Sequence, residues 1–530
     1  MNLQRKTKDR ILTFGLLVSI LLLLFTGPLH ARKKRPTAPP LDQQVEQILK
    51  SSPIANGFFG IQVYSLDRNQ VVFEKDADHL FVPASNTKLY TISTALARLP
   101  LDHRFHTTLE TSGRIDKFGR LLGDLILVGR GDPNLSNRVL PYDPKATRTE
   151  SKLQAIDTLA NQLVSKGVKS INGDLVGDDS FFINEPVGDS WGWDDLMWWF
   201  GAPVSALTLN DNVFSLALAP AERVGEPAFI IVDPFYHGLK IQNELITTPA
   251  GTERRVHLER SPGSSLLHVW GTFPLDAKPQ QESLAVEEPA RVAAEALRRA
   301  LEAKGVVLYG RVRVLHRELW DVGPTIGAPP LKIAQRTVLA EIVSHPLSED
   351  LKVIAKVSQN LHAEVLLRLI GAQVKNEGSV RAGLAAEHEF LNQAGVNDND
   401  YQLNDGSGMD GHNLVAPRAT VQLLRYNWAQ PYRDAFVDLL PIAGTDGTIA
   451  SRFKETAAAG KVFAKTGTLT HANALSGYAT SPSGEHFAFS MMTNNHAQDS
   501  KLATDTMDKV LETILTYPPA ATKIRRTSRR

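Results

Sequence analysis

Hairpin and helix signals at the two ends of the chain bracket a middle of different texture. This bracket limits the fold more than any other feature of the sequence. At the start, Gln43 to Lys50 reads as a short helix, Phe58 to Ser65 alternates like a strand, and Val71 to Glu74 returns after the turn Asp67-Arg68-Asn69-Gln70. A helix follows near Ser85, with Leu89, Ile92, Leu96 and Leu99 spaced by three and four and Pro100 stopping it. At the end, Ala474 to Thr480 and Phe487 to Met492 form a hairpin around Ser481-Pro482-Ser483-Gly484. A helix with Leu502, Val510, Leu511 and Ile514 on one side closes the chain. Between them, Leu121 to Val128, Leu175 to Val176, Phe214 to Ala217 and Phe229 to Val232 are short strand-like runs. Helical texture returns at Pro289 to Lys304 and Leu351 to Ile370. The pattern predicts one mixed α/β (α+β) domain whose halves are separated by a β-rich insertion. The expected division is 42–108 for the first part of the domain, 109–325 for the insertion in one or two subdomains, and 326–517 for the second part.

The 530 residues contain no cysteine, which removes disulfides, thiol catalysis, cysteine-ligated zinc and iron–sulfur clusters together. The net charge of +1 conceals an asymmetry: residues 1–35 carry +7 and residues 516–530 carry +5, leaving −11 on residues 36–515. A body of that sign is a poor non-specific partner for nucleic acid. Arg5, Lys6, Lys8 and Arg10 precede an apolar run from Ile11 to Phe25, which then meets Gly27-Pro28-Leu29-His30-Ala31. A basic start, an apolar run of about 15 residues and a closing small residue predict a signal peptide or anchor over 1–31. Export to the periplasm or cell-wall side is expected. Residues 32–41 read as a linker and 518–530 as a basic tail able to touch an anionic membrane surface.

Three short motifs carry candidate chemistry. Ser85 opens a helix and Lys88 follows three residues later on the same face, so hydroxyl and amine can meet. A serine becomes a nucleophile when a base takes its proton, and a lysine is a base only when burial or a nearby cation keeps it neutral. Backbone N–H groups at the helix start can face a developing oxyanion. Ser358-Gln359-Asn360 supplies a hydroxyl that can relay a proton and an amide that can hold a carbonyl or the base. Lys465-Thr466-Gly467-Thr468 sits on a strand before the last hairpin, where an ammonium and a hydroxyl can grip a carboxylate. Each motif alone is common. Together, in this order, they form the set found in penicillin-binding proteins and serine β-lactamases.

The chain resembles the low-molecular-mass class C penicillin-binding proteins, the D-alanyl-D-alanine carboxypeptidase/endopeptidases of peptidase family S13, over roughly Gly57 to Leu515. Further similar stretches include Gly131-Asp132-Pro133, Ala202-Pro203-Val204-Ser205-Ala206-Leu207 with Leu209-Asn210-Asp211-Asn212, Asp405-Gly406-Ser407-Gly408, His412-Asn413-Leu414 and Gly444-Thr445-Asp446-Gly447-Thr448. The resemblance implies a transpeptidase-like domain split by the insertion. It implies that Ser85 attacks the carbonyl between two D-alanines of a peptidoglycan stem peptide and that Lys88 takes the serine proton. Ser358 passes a proton to the leaving group, and Asn360 orients Lys88 and the substrate. Lys465 and Thr466 bind the terminal carboxylate, and the N–H groups of Ser85 and Thr468 form the oxyanion hole. β-Lactams are the implied inhibitors, and no cofactor or metal is implied. The sequence departs from the family pattern at Gln359, where Asp is frequent, and at Gly411, where Arg is frequent. A β-lactamase or esterase on the same scaffold, and a non-catalytic wall-binding protein, are the competing readings. Trp191, Trp193, Trp198 and Trp199 crowd the insertion, as an aromatic platform or as packing between subdomains.

Overall fold

The computed structural model describes residues 39–145, 148–149, 152–234, 238–327 and 335–518. The expected signal peptide or anchor, most of the linker, and the tail from residue 519 lie outside the described residues. Among the described residues, no helix is long and apolar enough to cross a membrane. The chain divides into a leading unit, residues 1–44, and a body, residues 45–530. The site lies in the body.

The two ends of the body meet in one antiparallel sheet. Strand β1 (Phe58–Ser65) pairs with β2 (Gln70–Lys75) on one side. The helix α1 (Lys88–Arg98) follows; then, after the middle of the chain, come α2 (Leu347–Lys352), α3 (Asn360–Lys375), α4 (Val380–Gln393) and α5 (Pro417–Trp428). Strands β3 (Val462–Leu469), β4 (Ala472–Thr480) and β5 (His486–Asn494) and the helix α6 (Ser500–Thr516) close the fold. The sheet order is β2-β1-β5-β4-β3, so β1 pairs with β5 across more than 400 residues of chain. This leaves β3, which carries Lys465, as the edge strand of the sheet, bordered along Val462 to Ala464 by residues 441–443.

Helix α1 is buried on nearly all sides, from Lys88 to Leu96. Its Leu89, Ile92 and Leu96 pack in one core with Leu361, Val365 and Leu369 of α3, Phe390 of α4, Leu424 of α5 and Tyr478 of β4. Each such buried aliphatic side chain contributes roughly 1.5–3 kcal/mol. Three buried hydroxyls of α1 find partners within the protein: Ser93 and Thr94 donate to the carbonyls four residues back, and Thr91 donates to Gly406 O at 2.9 Å. A helix so enclosed is a rigid mount for the residues at its N-terminus.

The middle of the chain builds further sheets. One has the order Val312–Arg317, Leu175–Ile183, Leu125–Val128, His106–Thr111 and Thr337–Val343. Thr337–Val343 pairs antiparallel with His106–Thr111, so strands from both expected junctions of the insertion share one sheet. The helices Gln154–Ser165 and Pro289–Ala303 contribute Leu159, Leu163, Ala293 and Leu297 to its core. Two three-stranded sheets share a separate core around Phe214, Leu216, Leu245, Val269 and Phe273.

Two expectations need correction. The run Leu121 to Val128 is two strands, Arg120–Leu122 and Leu125–Val128, which belong to different sheets. The run Leu351 to Ile370 is not a continuous helix. After α2 the chain widens into a π-turn, Val353–Val357, and Ser358 adopts a left-handed conformation with φ of 64° before α3 begins. Hydrophobic periodicity continues through the break, and it hides a single residue that reverses the backbone.

Candidate active site

Ser85 lies in a 3₁₀ turn, Ala84–Thr87, that runs directly into α1 at Lys88. The Lys88 ammonium donates to Ser85 Oγ at 2.9 Å, to Asn360 Oδ1 at 2.6 Å and to Ser407 O at 2.6 Å. Its three protons are therefore all directed. The side chain is 0 % exposed, and burial pushes its pKa down to about 7, against the raising pull of Asp405 and Glu364. A lysine so placed is substantially neutral near physiological pH and touches the hydroxyl it would deprotonate.

The break at Ser358 turns its hydroxyl toward β3, where Lys465 Nζ donates to Ser358 Oγ at 2.7 Å and to Thr466 O at 2.8 Å. Burial and repulsion from Lys88 hold Lys465 well below the ordinary lysine range. Gln359 caps α3 by accepting from Leu361 N, a task that its amide oxygen performs without a negative charge. Asn360, the first residue of α3, spends its other amide group on Phe200 O at 2.9 Å. Thr466 Oγ1 donates to Thr448 Oγ1 at 2.8 Å. Thr448 is held in place because Asp446, two residues earlier, accepts from the buried Lys356 at 2.7 Å.

Two glycines permit the close approaches. A Cβ on Gly467 would come within 2.5 Å of Pro83 O, so only glycine lets β3 lie against the serine turn. Gly408 has φ of 82°, and a Cβ there would fall on the Ala84 carbonyl. This contact carries the Ser407 carbonyl to Lys88. A Cβ at Gly411 would meet no atom within 4 Å, and none of the Lys88 contacts involves this residue.

A cleft of about 600 Å³ collects Ser85, Ser358, Asn360, Thr466 and Thr468 on one wall system. Lys88 and Lys465 lie buried behind it. Asp195, Trp199 and Phe200, from the segment expected to be the insertion, line the same cleft. The four tryptophans therefore part company: Trp199 lines the cleft, Trp191 is buried with its indole on Asp405, Trp198 packs on the small-sheet core, and Trp193 is exposed. Sequence reasoning did not single out Glu364, Asp195, Phe200, Met409 or Arg452 for this site. Of these, Glu364 had a readable sign, since it follows Asn360 by four residues and so shares its helix face.

The sequence profile of the D-Ala-D-Ala carboxypeptidase 3 (S13) family matches residues 41–514. The chain belongs to that family. It is a serine D,D-peptidase with a mixed α/β, penicillin-binding-protein-like fold. It is 33 % identical over 474 residues to a D-alanyl-D-alanine carboxypeptidase of Actinomadura sp. (strain R39), covering 87 % of this chain and 82 % of that one. It is 29 % identical over 442 residues to the D-alanyl-D-alanine carboxypeptidase DacB of Haemophilus influenzae, covering 83 % and 85 %. The crystal structure of penicillin binding protein 4 (dacB) from Haemophilus influenzae superposes with a TM-score of 0.76 at 26 % identity, over 89 % of this peptidase and 99 % of that chain. Such a peptidase acts on peptidoglycan, outside the cytoplasm.

Proposed function

We propose that Ser85 is the acylating nucleophile of a D-alanyl-D-alanine carboxypeptidase and that Lys88 is its base. The observation that carries this reading is the set of three hydrogen bonds that direct a fully buried Lys88 onto Ser85 Oγ. In acylation the Ser85 proton passes to neutral Lys88 while Oγ bonds to the carbonyl carbon between the two D-alanines. The oxyanion forms toward the N–H groups of Ser85 and Thr468. As the C–N bond breaks, Ser358 gives a proton to the leaving amine and regains one from the Lys88 ammonium, which returns Lys88 to its neutral form, while the hydrogen bond from Lys465 holds Ser358 in place. Water then attacks the ester, neutral Lys88 takes its proton, and that proton passes to Ser85 Oγ as the ester C–O bond breaks. Asn360 keeps Lys88 in register throughout. Lys465 and Thr466 receive the terminal carboxylate, whose negative charge favours the ammonium form of Lys465. That cation in turn holds Lys88 neutral, so carboxylate binding and base activation reinforce each other. The same steps on a D-alanyl–diamino-acid cross-link give an endopeptidase.

Penicillin presents a reactive amide and a carboxylate to the same groups and leaves a slowly hydrolysed acyl-enzyme. We also propose that residues 1–31 direct the chain across the cytoplasmic membrane and that residues 109–325 are an inserted region dividing the catalytic domain. Intact mass measurement after exposure to penicillin, with peptide mapping, tests the central reading. One stable adduct on the peptide containing Ser85 is expected. Hydrolysed drug without an adduct would make the chain a β-lactamase, and intact drug without an adduct would make it a binding protein.

Two further results are expected. The second-order rate of acylation falls about tenfold per pH unit below about pH 7, because protonated Lys88 cannot accept the serine proton. A rate flat from pH 5 to 8 would remove Lys88 from the role. Lys465→Ala lowers kcat/KM for free-carboxylate peptides by about 10²-fold, in line with a charged hydrogen bond of ~1.5–3 kcal/mol, and erases the preference over amidated peptides. An unchanged preference contradicts carboxylate binding at Lys465.

A further inference from the structure

Behind the catalytic lysine, on the side away from the cleft, two carboxylates organise one loop. Glu364 Oε1 accepts from the backbone N–H groups of Gly406 and Ser407 at 2.9 and 2.8 Å. The carbonyl of that same Ser407 is the one that Lys88 donates to. Asp405 accepts from Gly408 N, Asp410 N and Asn413 Nδ2, each at 2.8 Å, which closes the loop on itself. Both carboxylates are buried. A buried charge persists when its lone pairs are filled, and these are filled by the loop that meets the lysine.

The inserted region grips the same assembly at three points. Trp191 Nε1 donates to Asp405 Oδ2 at 3.2 Å. Arg368, which donates to Glu364 Oε2 at 3.1 Å, also donates to Glu185 O at 2.8 Å. Phe200 O accepts from Asn360 at 2.9 Å. Residues 185–200 thus touch Asp405, the partner of Glu364, and the amide that holds Lys88. We propose that Glu364 and Asp405 are positioning residues for the Lys88 base, and that residues 185–200 of the inserted region hold them in place. The proposal rests on the reading of Lys88 as the base.

Lys88 feels charge from every element packed around it. Lys465 on β3 opposes its protonation. Glu364 on α3 and Asp405 in the loop favour it. Arg368 offsets Glu364, while Asp410 and Glu387 of α4 interact with these carboxylates. Glu364→Gln keeps an oxygen for the two N–H groups and removes the negative charge. Trp191→Phe keeps the ring in place and removes the donor that offsets Asp405. The two changes act on the lysine with opposite sign, which loosened packing does not reproduce.

The test is the pH dependence of the second-order rate of acylation by penicillin in the full chain, with thermal melting in parallel. Glu364→Gln is expected to move the acid limb to lower pH by about one unit. Trp191→Phe is expected to move it to higher pH by a few tenths of a unit, on the scale of one lost hydrogen bond. Limbs that coincide with the parent's, or that move in the same direction, overturn the proposal. Ser85→Ala serves as the separate control: covalent labelling of that variant would sink the reading of the site itself and not the role of Glu364.

Discussion

Ser85→Ala abolishes covalent labelling by penicillin and lowers D-alanine release by about 10⁴-fold or more, the scale expected when a covalent nucleophile is removed from a unit that acts together. Among the described residues, Ser85 supplies the one hydroxyl within hydrogen-bond reach of Lys88, whose other partners are Asn360 Oδ1 and Ser407 O. Ser358, the nearest alternative in the cleft, is engaged with Lys465. The variant keeps two of the three lysine contacts and all of the core around α1, so its melting temperature stays close to the parent's. Loss of labelling with an intact fold is therefore the expected pair of observations, read by intact mass and by calorimetry. An adduct of unchanged mass on the variant would move the nucleophile elsewhere.

Asp211→Ala destabilises the protein by about 3–5 kcal/mol, the range for removing one partner from a buried ion pair. Asp211, from the segment proposed as the insertion, is buried, with both oxygens committed. Oδ2 accepts from Arg138 at 2.6 Å and from Arg148, and Oδ1 meets His362 Nε2 at 3.1 Å. The far side of His362 meets Asp350 Oδ1 at 2.6 Å. His362 lies on α3 two residues after Asn360, so this cluster ties the segment around Asp211 to the helix whose Asn360 contacts Lys88. Three consecutive left-handed residues, Asn210, Asp211 and Asn212, present the carboxylate, and such backbone is retained where its surroundings fix it. Alanine leaves Arg138 without its counter-charge and leaves His362 with Asp350 alone. Urea unfolding at neutral pH reads the loss, and an unchanged midpoint would contradict it.

The pH dependence of this cluster follows from the directions of its shifts. The Arg138 charge and the His362 hydrogen bond, acting against burial, hold Asp211 well below the usual carboxylate range. Its contribution is present above the unfolded aspartate value and is lost as pH falls through the depressed one. Asp350 and Asp211 outweigh burial at His362 and raise it. Its contribution is complete below the ordinary histidine range and is lost as pH rises through the elevated value. The clamp is strongest between these two limits.

Much of the site is legible from short stretches. The spacing of Ser85 and Lys88 puts both at the start of one helix, and the structure brings their polar ends to 2.9 Å. The alternation around Lys465-Thr466 reads as a strand, and it is one. The bracket of hairpins at the two ends becomes a single five-stranded sheet. Ser358 was legible as a residue but not as a conformation, since the apolar pattern runs through the π-turn without interruption. Glu364 shares a helix face with Asn360 and Asp405 opens a family-like stretch, but their significance lies in which backbone they bind, and that no local pattern shows. Trp191 and Trp199 sit in one tight cluster of sequence, yet one is buried on a carboxylate and the other lines the cleft.

The sequence by itself determined the chemical groups, their pairing within a helical turn or along a strand, and the family. Those properties depend on residues a few positions apart, where side-chain periodicity and backbone preference act directly. Only the tertiary structure decided the proton affinity of the two lysines, the left-handed turn at Ser358 and the grip of residues 185–200 on the loop at Ser407. Each of these sums burial and charge from distant segments: Lys88 takes its partners from 272 and 319 residues away. A buried ammonium responds to everything enclosed with it, and no local pattern records what the fold will enclose.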